Sequence, residues 1–327
     1  MRKRYWILII SGLLLFLSDL LLGSMSLDFK ELLTPDTLAR TIVLDFRLPK
    51  AITALLVGAA LALSGLLMQT VFRNPLAGPY VLGVSSGSSL AVALFMLGSP
   101  IVGMGIGGQI GLVTSAWVGS VAVLMVVMAA ASRLKDIMAV LILGMMVGSV
   151  CSALVELLQF FSSEAALKGF VLWTMGSLGG LTSSQLGVLF VTVVVGTGLS
   201  ISSIKGLDLL LLGENYARTM GLNVARSRVL IFGATSLLAG GVTAFCGPIA
   251  FIGIAAPHVA RLIFRRADHR VMLPASVLVG VNMMLLCDVI AGLPFSEMVL
   301  PINTVASLMG IPIVIMVVLN GGKTKIM

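Results

Sequence analysis

Charged side chains are scarce in this chain. Only 10% of its 327 residues are Asp, Glu, Lys or Arg, whereas soluble domains carry about 25%. Hydrophobic residues make up 58%, which excludes a protein whose main solvent is water. Aromatic residues are also few, at 6%, while glycine is frequent, with 36 residues. This combination indicates helices packed closely in lipid, where small residues let helix backbones approach each other.

Cysteine and histidine are too few and too scattered to indicate a metal centre or a disulfide framework. Cys151, Cys246 and Cys287 lie in separate apolar runs without a CxxC or CxxH neighbour. His258 and His269 have no second ligand at helical spacing. We therefore expect buried cysteines, structural or loop roles for the histidines, and neither a metal site nor a cofactor.

The sequence also lacks a complete nucleotide-binding motif. Residues 321–324 resemble the end of a phosphate loop, but the glycine that should open the motif is replaced by Val317. We expect a basic tail here, and a protein that is not itself an ATPase or another enzyme. The net charge of +8 comes from short basic clusters between apolar runs, which argues against a nucleic-acid-binding face.

Ten apolar runs approach the roughly 20 residues that a helix needs to cross a bilayer. The expected fold is therefore all-α, a polytopic membrane protein with about ten transmembrane helices. The amino-terminal run resembles a signal peptide, but no A-x-A-like cleavage site follows it, so we interpret it as an uncleaved span. The runs are 5–24, 50–70, 80–98, 109–131, 137–160, 185–203, 228–246, 249–264, 271–292 and 303–320.

The distribution of basic residues predicts the orientation of these spans. With the amino terminus in the cytoplasm, the inner segments hold 16 of the 21 lysines and arginines. The outer segments hold the other five, which are Lys30, Arg40, Arg47, Lys50 and Lys168. Because inner loops of membrane proteins are enriched in Lys and Arg, we expect both termini to be cytoplasmic.

Three carboxylates lie within the apolar runs, namely Asp19, Glu156 and Asp288. Intramembrane carboxylates are costly and often functional. In the predicted topology all three fall in the outer third of their helices, where a carboxylate reaches the interface or a polar partner easily. We therefore do not expect a coupling-ion site, which would need a carboxylate near the bilayer centre. An intramembrane enzyme would need paired His, Asp, Glu or Ser groups on facing helices, and the sequence shows no such set.

Two interruptions rich in proline and glycine break the apolar pattern. Residues 74–79 precede a serine-glycine run that includes Ser85 and Ser86, and residues 247–257 form a comparable break. Such breaks are tolerated at membrane depth beside protein or a water-filled path. A substrate path and a simple helix start with small packing residues are equally compatible with the first break. The two breaks suggest weakly similar halves, roughly 47–160 and 228–320, within a single domain spanning 1–327.

Two polar segments are longer than simple connections. The outer loop 25–49 follows the first span, and the outer segment 161–181 holds a half-apolar stretch at 165–175, for which we expect a surface or re-entrant helix. The inner segment 203–228 contains Gly206, Gly213 and Gly221, which predict boundaries between short helices. From the residues alone, a docking surface and a plain basic loop are about equally consistent with this segment.

Several short motifs occur in order along residues 47–315. They are Arg47-Leu-Pro-Lys50, Gly58 to Gly65 with Met68-Gln69, Asn74-Pro-Leu-Ala77, Leu82-Gly-Val-Ser85, Leu212-Gly-Glu214 with Ala217 and Gly221-Leu222, Gly253 to Arg261, Asp268-His-Arg270, Leu300-Pro301 and Gly310-Ile-Pro312. Each motif is weak alone, but their order and spacing agree with ten spans. Together they resemble the FecCD-type permease family, the membrane subunits of iron-siderophore, haem and vitamin B12 importers.

This resemblance implies a homodimer in the bacterial cytoplasmic membrane, two cytoplasmic ATPase subunits and an extracytoplasmic substrate-binding protein. It implies that Gly213, Glu214, Ala217, Arg218 and Gly221 lie on coupling helices that contact the ATPase.

The resemblance also implies that Arg47 and Lys50 pair with acidic residues of the binding protein. It places Gln69, Asn74, Pro75, Ser85 and Ser86 along the translocation path. Many relatives have an arginine where this chain has Gly292 and a glutamate where it has Val299, so the outer docking surface is not simply inherited.

The expected function is therefore import of an iron chelate or cobalamin by alternating access, driven by ATP on partner subunits. The main alternative is an ion-coupled secondary transporter. The sequence does not distinguish between siderophore, haem and cobalamin, because a path of small hydroxyls and apolar groups carries little selectivity.

Overall fold

The structure, a computed structural model, describes residues 1–23, 37–98, 108–131, 133–134, 136–293 and 298–320. The tail at 321–327 and residues 25–36 of the outer loop 25–49 lie outside the described residues. Two of the predictions above fall there, namely the basic tail and the first part of that loop.

The described residues form helices that account for each of the ten predicted runs. They are α1 (Arg2–Leu21), α2 (Leu38–Val71), α3 (Val84–Met96), α4 (Gly108–Ala131), α5 (Ile137–Phe160), α6 (Glu164–Thr174), α7 (Ser183–Ser202), α8 (Ile204–Leu211), α9 (Glu214–Thr219), α10 (Val224–Cys246), α11 (Ile252–Phe264), α12 (His269–Ala291) and α13 (Ile302–Asn320). A 3-10 turn at Pro79–Leu82 precedes α3.

Seven of the described helices are long and apolar enough to cross a membrane, and three more are apolar but shorter. The seven are α1, α2, α4, α5, α7, α10 and α12, and the shorter three are α3, α11 and α13. The all-α polytopic fold is thus confirmed. The remaining helices are α6, which matches the half-apolar outer stretch, and α8 and α9, which lie in the inner segment.

One boundary prediction in the inner segment is wrong. Gly206 lies within α8, where it is buried, and does not end a helix. Gly213 and Gly221 do flank α9, with φ of 108° and 84°. Residues with a Cβ rarely adopt these dihedrals, so glycine is needed at both ends of this short helix.

Helix α2 lies at the centre of the bundle. Within its apolar 18-residue stretch, 78% is buried, compared with 11% for the corresponding stretch of α1 and 22% for that of α5. It packs against α12, α10, α11 and α7. The outward faces of α1, α5 and α7 carry large exposed apolar side chains, as expected for helices surrounded by lipid or by another subunit.

Two glycine pairs allow α2 to approach its neighbours closely. A Cβ placed on Gly65 would lie 1.7 Å from the carbonyl oxygen of Gly253 in α11, and one on Gly58 would lie 2.5 Å from that of Gly280 in α12. Any larger side chain would separate the backbones. The high glycine content therefore has a specific use in the core of the bundle.

Contacts between distant segments group the predicted inner segments at one end of the bundle. Arg4 donates to the Ile263 carbonyl at 2.6 Å, and Tyr5 donates to the Val271 carbonyl at 3.0 Å. These bonds join the amino terminus to the end of α11 and the start of α12. At the other end, Arg47 donates to the Leu20 carbonyl at 3.0 Å. The predicted arrangement of inner and outer segments agrees with these contacts.

Candidate coupling segment, path groove and outer cleft

The inner segment 203–228, which we call the coupling segment, is fastened to the bundle by an ion pair. Glu214, the first residue of α9, pairs with Arg228 near the start of α10. Arg228 is 7% exposed and also donates to the Leu134 carbonyl at 3.5 Å. A buried guanidinium without a carboxylate partner would be strongly destabilising. Glu214 therefore positions α9 against α10.

The residues predicted for ATPase coupling lie together on α9 and its flanks, but they differ in exposure. Ala217 is fully buried, whereas the Arg218 side chain is 58% exposed and lies 3.9 Å from Glu214. Gly213 and Gly221 set the bends at either end of the helix. Of the five, Arg218 has the side chain most accessible to another protein.

Three large apolar side chains of the coupling segment are exposed, and the sequence analysis did not single them out. Leu212 is 62% exposed, Tyr216 48% and Met220 59%. No sequence signal distinguishes them, because other apolar residues such as Leu207, Leu210 and Leu222 occur in the same segment. Leu212 and Tyr216 also line a cleft of about 750 Å³ with Val71, Arg73, Asp136 and Met138. This cleft separates the coupling segment from the start of α5.

The first interruption is fixed by hydrogen bonds to α11. Gln69 is 3% exposed, donates to the Ile254 carbonyl at 3.1 Å and accepts from Arg261 at 2.6 Å. His258 donates through Nε2 to the Pro75 carbonyl at 2.6 Å. Asn74 accepts from the Leu76 amide at 2.9 Å, which caps the turn. Gln69 is thus enclosed within the subunit, and its place on a substrate path stays a prediction.

The two interruptions predicted from sequence are neighbours in the structure. Tyr80 donates to the Ile249 carbonyl at 2.8 Å, and Gln69 and His258 join the same two regions. Phe251, at the start of α11, has φ of 65°, which is uncommon for a residue with a Cβ. The contacts between the breaks supply partners for backbone groups that neither helix satisfies.

A groove of about 530 Å³ runs between α3 and α5. Ser86 lies on one wall, and Gly148, Ser149, Ser152 and Glu156 lie on the other. Ser85 is partly buried beside Ser86 and does not line the groove. The serines and Glu156 recur at intervals of three and four residues along α5, so their helical stripe is the sequence signal that could have identified this wall.

The predicted docking residues lie at the outer end of α2. Residues Ile42–Arg47 form a π-helical segment that ends two residues before Pro49. Proline removes an amide donor and clashes with the preceding turn, and the wider turn accommodates it. Arg47, the last residue of this segment, donates to the Leu20 and Leu21 carbonyls at 3.0 and 2.9 Å.

Lys50 forms an ion pair with Asp288 at 2.7 Å, with exposed side-chain fractions of 30% and 2%. Asp19 is also buried, at 7%. These groups lie around an outer cleft of about 390 Å³ that includes Phe46 and Val299. Asp288 therefore takes a polar partner, one of the two outcomes expected for it, while Glu156 lies exposed in the groove between α3 and α5.

Comparison with known proteins connects this architecture to a transport family. The FecCD transport family model matches residues 8–320. The vitamin B12 import system permease protein BtuC of Escherichia coli is 33% identical over 320 residues, which cover 97% of this chain and 96% of that protein. BtuC of Klebsiella pneumoniae is 35% identical over 322 residues, with coverage of 98% and 95%.

This chain belongs to the FecCD transport family. A solved structure described as an inward-facing conformation of a metal-chelate type ABC transporter has a TM-score of 0.86 and 31% identity, covering 98% of this chain and 100% of that one. PsaBC from Streptococcus pneumoniae has a TM-score of 0.55 at 15% identity, with coverage of 82% and 89%, and shares the fold alone.

As a FecCD permease, the protein is the membrane-spanning subunit of an ABC importer in the bacterial inner membrane. The resemblance noted in the sequence is thus confirmed. The family implies ATPase and substrate-binding partners. It also favours the ATP-driven importer over the ion-coupled secondary transporter.

The Glu214–Arg228 pair gives a prediction for the permease. Glu214→Arg would place two cations together beside α10, so we expect the destabilisation of about 3 kcal/mol typical of a broken buried pair and loss of ATPase co-purification. Combining Glu214→Arg with Arg228→Glu restores the pair in reverse, and it should recover much of the stability and much of the ATPase co-purification. Thermal unfolding and co-purification in detergent measure the two effects.

Arg226→Glu is the matched control, because Arg226 is exposed two residues before Arg228. It should leave stability near that of the unaltered protein. A double variant no more stable than Glu214→Arg would contradict the assignment of the pair as the anchor of α9.

Proposed function

We propose that this permease imports a metal chelate, with cobalamin as the first candidate, by ATP-driven alternating access. The observation that carries the substrate class is the similarity to BtuC permeases over nearly the whole chain. Its similarity to a metal-chelate type transporter structure supports the wider class, which includes ferric siderophores and haem. Selectivity would reside in the binding protein, because the groove presents small hydroxyls, glycine and one carboxylate.

Two copies of the permease would enclose the path. In a single subunit the groove between α3 and α5 is open, and α5 exposes Met146, Val150 and Leu154 beside it. A second copy would cover this apolar surface and complete the wall. Ser86 would then border the path, with Ser85 beside it. Gln69, near the end of α2, and Asn74 and Pro75, in the interruption that follows, would support this wall.

The coupling segment would receive the motion of the ATPase. In this proposal Leu212, Tyr216 and Met220 contact the ATPase directly, together with Arg218. Glu214 and Ala217 fix α9 to the bundle, and Gly213 and Gly221 provide its bends. Exposed apolar side chains surrounded by polar residues are typical of protein–protein contacts.

Arg47 and Lys50 would contribute to the docking of the binding protein at the outer end. Arg47 is bound to carbonyls at the end of α1, and Lys50 is held by Asp288. Asp288 would orient the ammonium of Lys50, which is 30% exposed, so that one face stays available to a carboxylate of the partner.

The first prediction from this proposal concerns uptake. Proteoliposomes that hold the permease, its cognate ATPase and its binding protein should accumulate radiolabelled cyanocobalamin only when ATP is present. Ferric siderophore and haem are the comparison substrates, and a catalytically inactive ATPase is the control. Uptake driven by an ion gradient without ATP would contradict the proposed energy source, and uptake of none of these chelates would contradict the substrate class.

The second prediction concerns the ATPase contact. Tyr216→Ser combined with Met220→Ser should weaken ATPase co-purification by about tenfold or more, because each removes apolar area from the interface. Val229→Ser is the matched control, since Val229 is 55% exposed on α10 outside the coupling segment. Binding of the ATPase to the double variant at full strength would contradict the assigned surface.

A further inference from the structure

Asp208, His269 and Thr70 form a chain of polar contacts between the coupling segment and the bundle. Oδ1 of Asp208, in α8, lies 2.6 Å from Nδ1 of His269 and accepts from the His269 backbone amide at 3.1 Å. Nε2 of His269 lies 2.8 Å from Oγ1 of Thr70, near the end of α2. Helices α8, α12 and α2 therefore meet at one imidazole ring.

The bonds in this chain are directional and largely shielded from water. A carboxylate without a proton only accepts, so Nδ1 of His269 carries the proton that faces Asp208. His269 and Thr70 are each 1% exposed, which removes the competition of water for these bonds. Asp208, with 37% of its side chain exposed, is the end of the chain nearest to solvent.

The same three groups, in the same order, occur in hydrolytic triads, where His activates a hydroxyl nucleophile. Here the hydroxyl is buried and also lies 2.9 Å from the Leu66 carbonyl within its own helix. A substrate has no access to an oxygen enclosed in this way. The structure thus contains a set of paired groups that the sequence did not show, but its position suits a mechanical role and not catalysis.

The apolar face of α8 also packs on the bundle, through Leu207 and Leu210. Apolar contacts are not directional, so a helix can slide or rotate while it retains much of their area. Hydrogen bonds weaken steeply when their geometry is lost. The contact of Asp208 with His269 therefore fixes the register of α8 against α12 in a way that leucine packing does not.

The chain of polar contacts ends at Thr70, which lies close in sequence to residues of the proposed translocation path. Thr70 follows Gln69, which is bonded to α11 through Ile254 and Arg261. Four residues further on, the first interruption begins at Asn74, and it leads to α3 and Ser86. A displacement applied at Thr70 therefore acts on the end of α2 immediately before the wall of the groove.

We propose that Asp208, His269 and Thr70 are positioning residues that transmit displacement of the coupling segment to the end of α2 and to the interruption at 74–79. This inference rests on the proposed function. None of the three lines the groove between α3 and α5. Because coupling between sites is reciprocal, the same contact would carry the signal of a docked binding protein back to the ATPase.

The test compares Asp208→Ala with Asp268→Asn in nanodiscs that hold the permease and its cognate ATPase. Both variants remove one negative charge beside His269, but only Asp208→Ala also removes the oxygen that accepts from His269. Asp268 caps α12 through the Arg270 amide, a role that asparagine also fills. ATP hydrolysis is measured with and without binding protein. Asp208→Ala should keep ATPase co-purification and basal hydrolysis, while stimulation by binding protein falls about tenfold. Asp268→Asn should be stimulated like the unaltered permease.

A second pair of variants tests the other end of the chain. Thr70→Val removes the contact with His269, whereas Thr53→Val removes only a bond to the Pro49 carbonyl within α2. Thr70→Val should lower the stimulation and Thr53→Val should not. Combined with Asp208→Ala, Thr70→Val should add little further loss, because both variants interrupt the same chain of polar contacts.

Normal stimulation of Asp208→Ala would overturn the proposal, and so would loss of ATPase co-purification, which would show a purely structural role. The stimulation assay does not depend on the identity of the substrate. Failure of the unaltered complex to take up cyanocobalamin, haem or ferric siderophore would therefore count against the proposed substrate class alone.

Discussion

The permease depends on a constraint that lipid imposes on polar groups. A charged or hydrogen-bonding group enclosed in an apolar bundle is costly unless it has a partner. In this protein such partners join different helices. Arg228 pairs with Glu214, and Gln69 accepts a hydrogen bond from Arg261. His269 contacts both Asp208 and Thr70. Each pairing fixes one element against another in a single arrangement.

These contacts occur where the mechanism would need rigidity. Apolar packing alone would leave α8 and α9 free to slide over the bundle, since hydrophobic contact has no preferred direction. The ion pair of α9 and the bonds of α8 instead tie the coupling segment to α10, α12 and α2. A displacement of α9 would then move the transmembrane helices as well, because α9 would not shift independently of the bundle.

The helices themselves could largely be predicted from the sequence, because a helix that crosses the bilayer needs an apolar run of about 20 residues. All ten runs coincide with helices. The error at Gly206 has a clear cause, since a single glycine is tolerated inside a helix when its neighbours are buried. The helix boundaries at Gly213 and Gly221 were predicted correctly, because a positive φ is a local requirement that favours glycine.

The pairing of distant residues could not be predicted in the same way. Asp208 and His269 are separated by 61 residues, and Gln69 and Arg261 by 192. No periodicity within one helix records such contacts, so His269 was expected to have only a structural or loop role. The exposed positions of Leu212, Tyr216 and Met220 follow from how α9 is anchored. They therefore became visible only once the Glu214–Arg228 pair was known.

The central claim is that the coupling segment moves together with the bundle. Pulsed EPR between spin labels at Arg218, on α9, and Arg270, at the start of α12, tests it directly in the assembled transporter. We expect one narrow Arg218–Arg270 distance distribution that is unchanged between the nucleotide-free and ATP-bound states, while the distance between the Arg270 labels of the two copies in the proposed homodimer changes. A change of the Arg218–Arg270 distance on ATP binding, with the Arg270 labels of the two copies remaining fixed, would contradict the account.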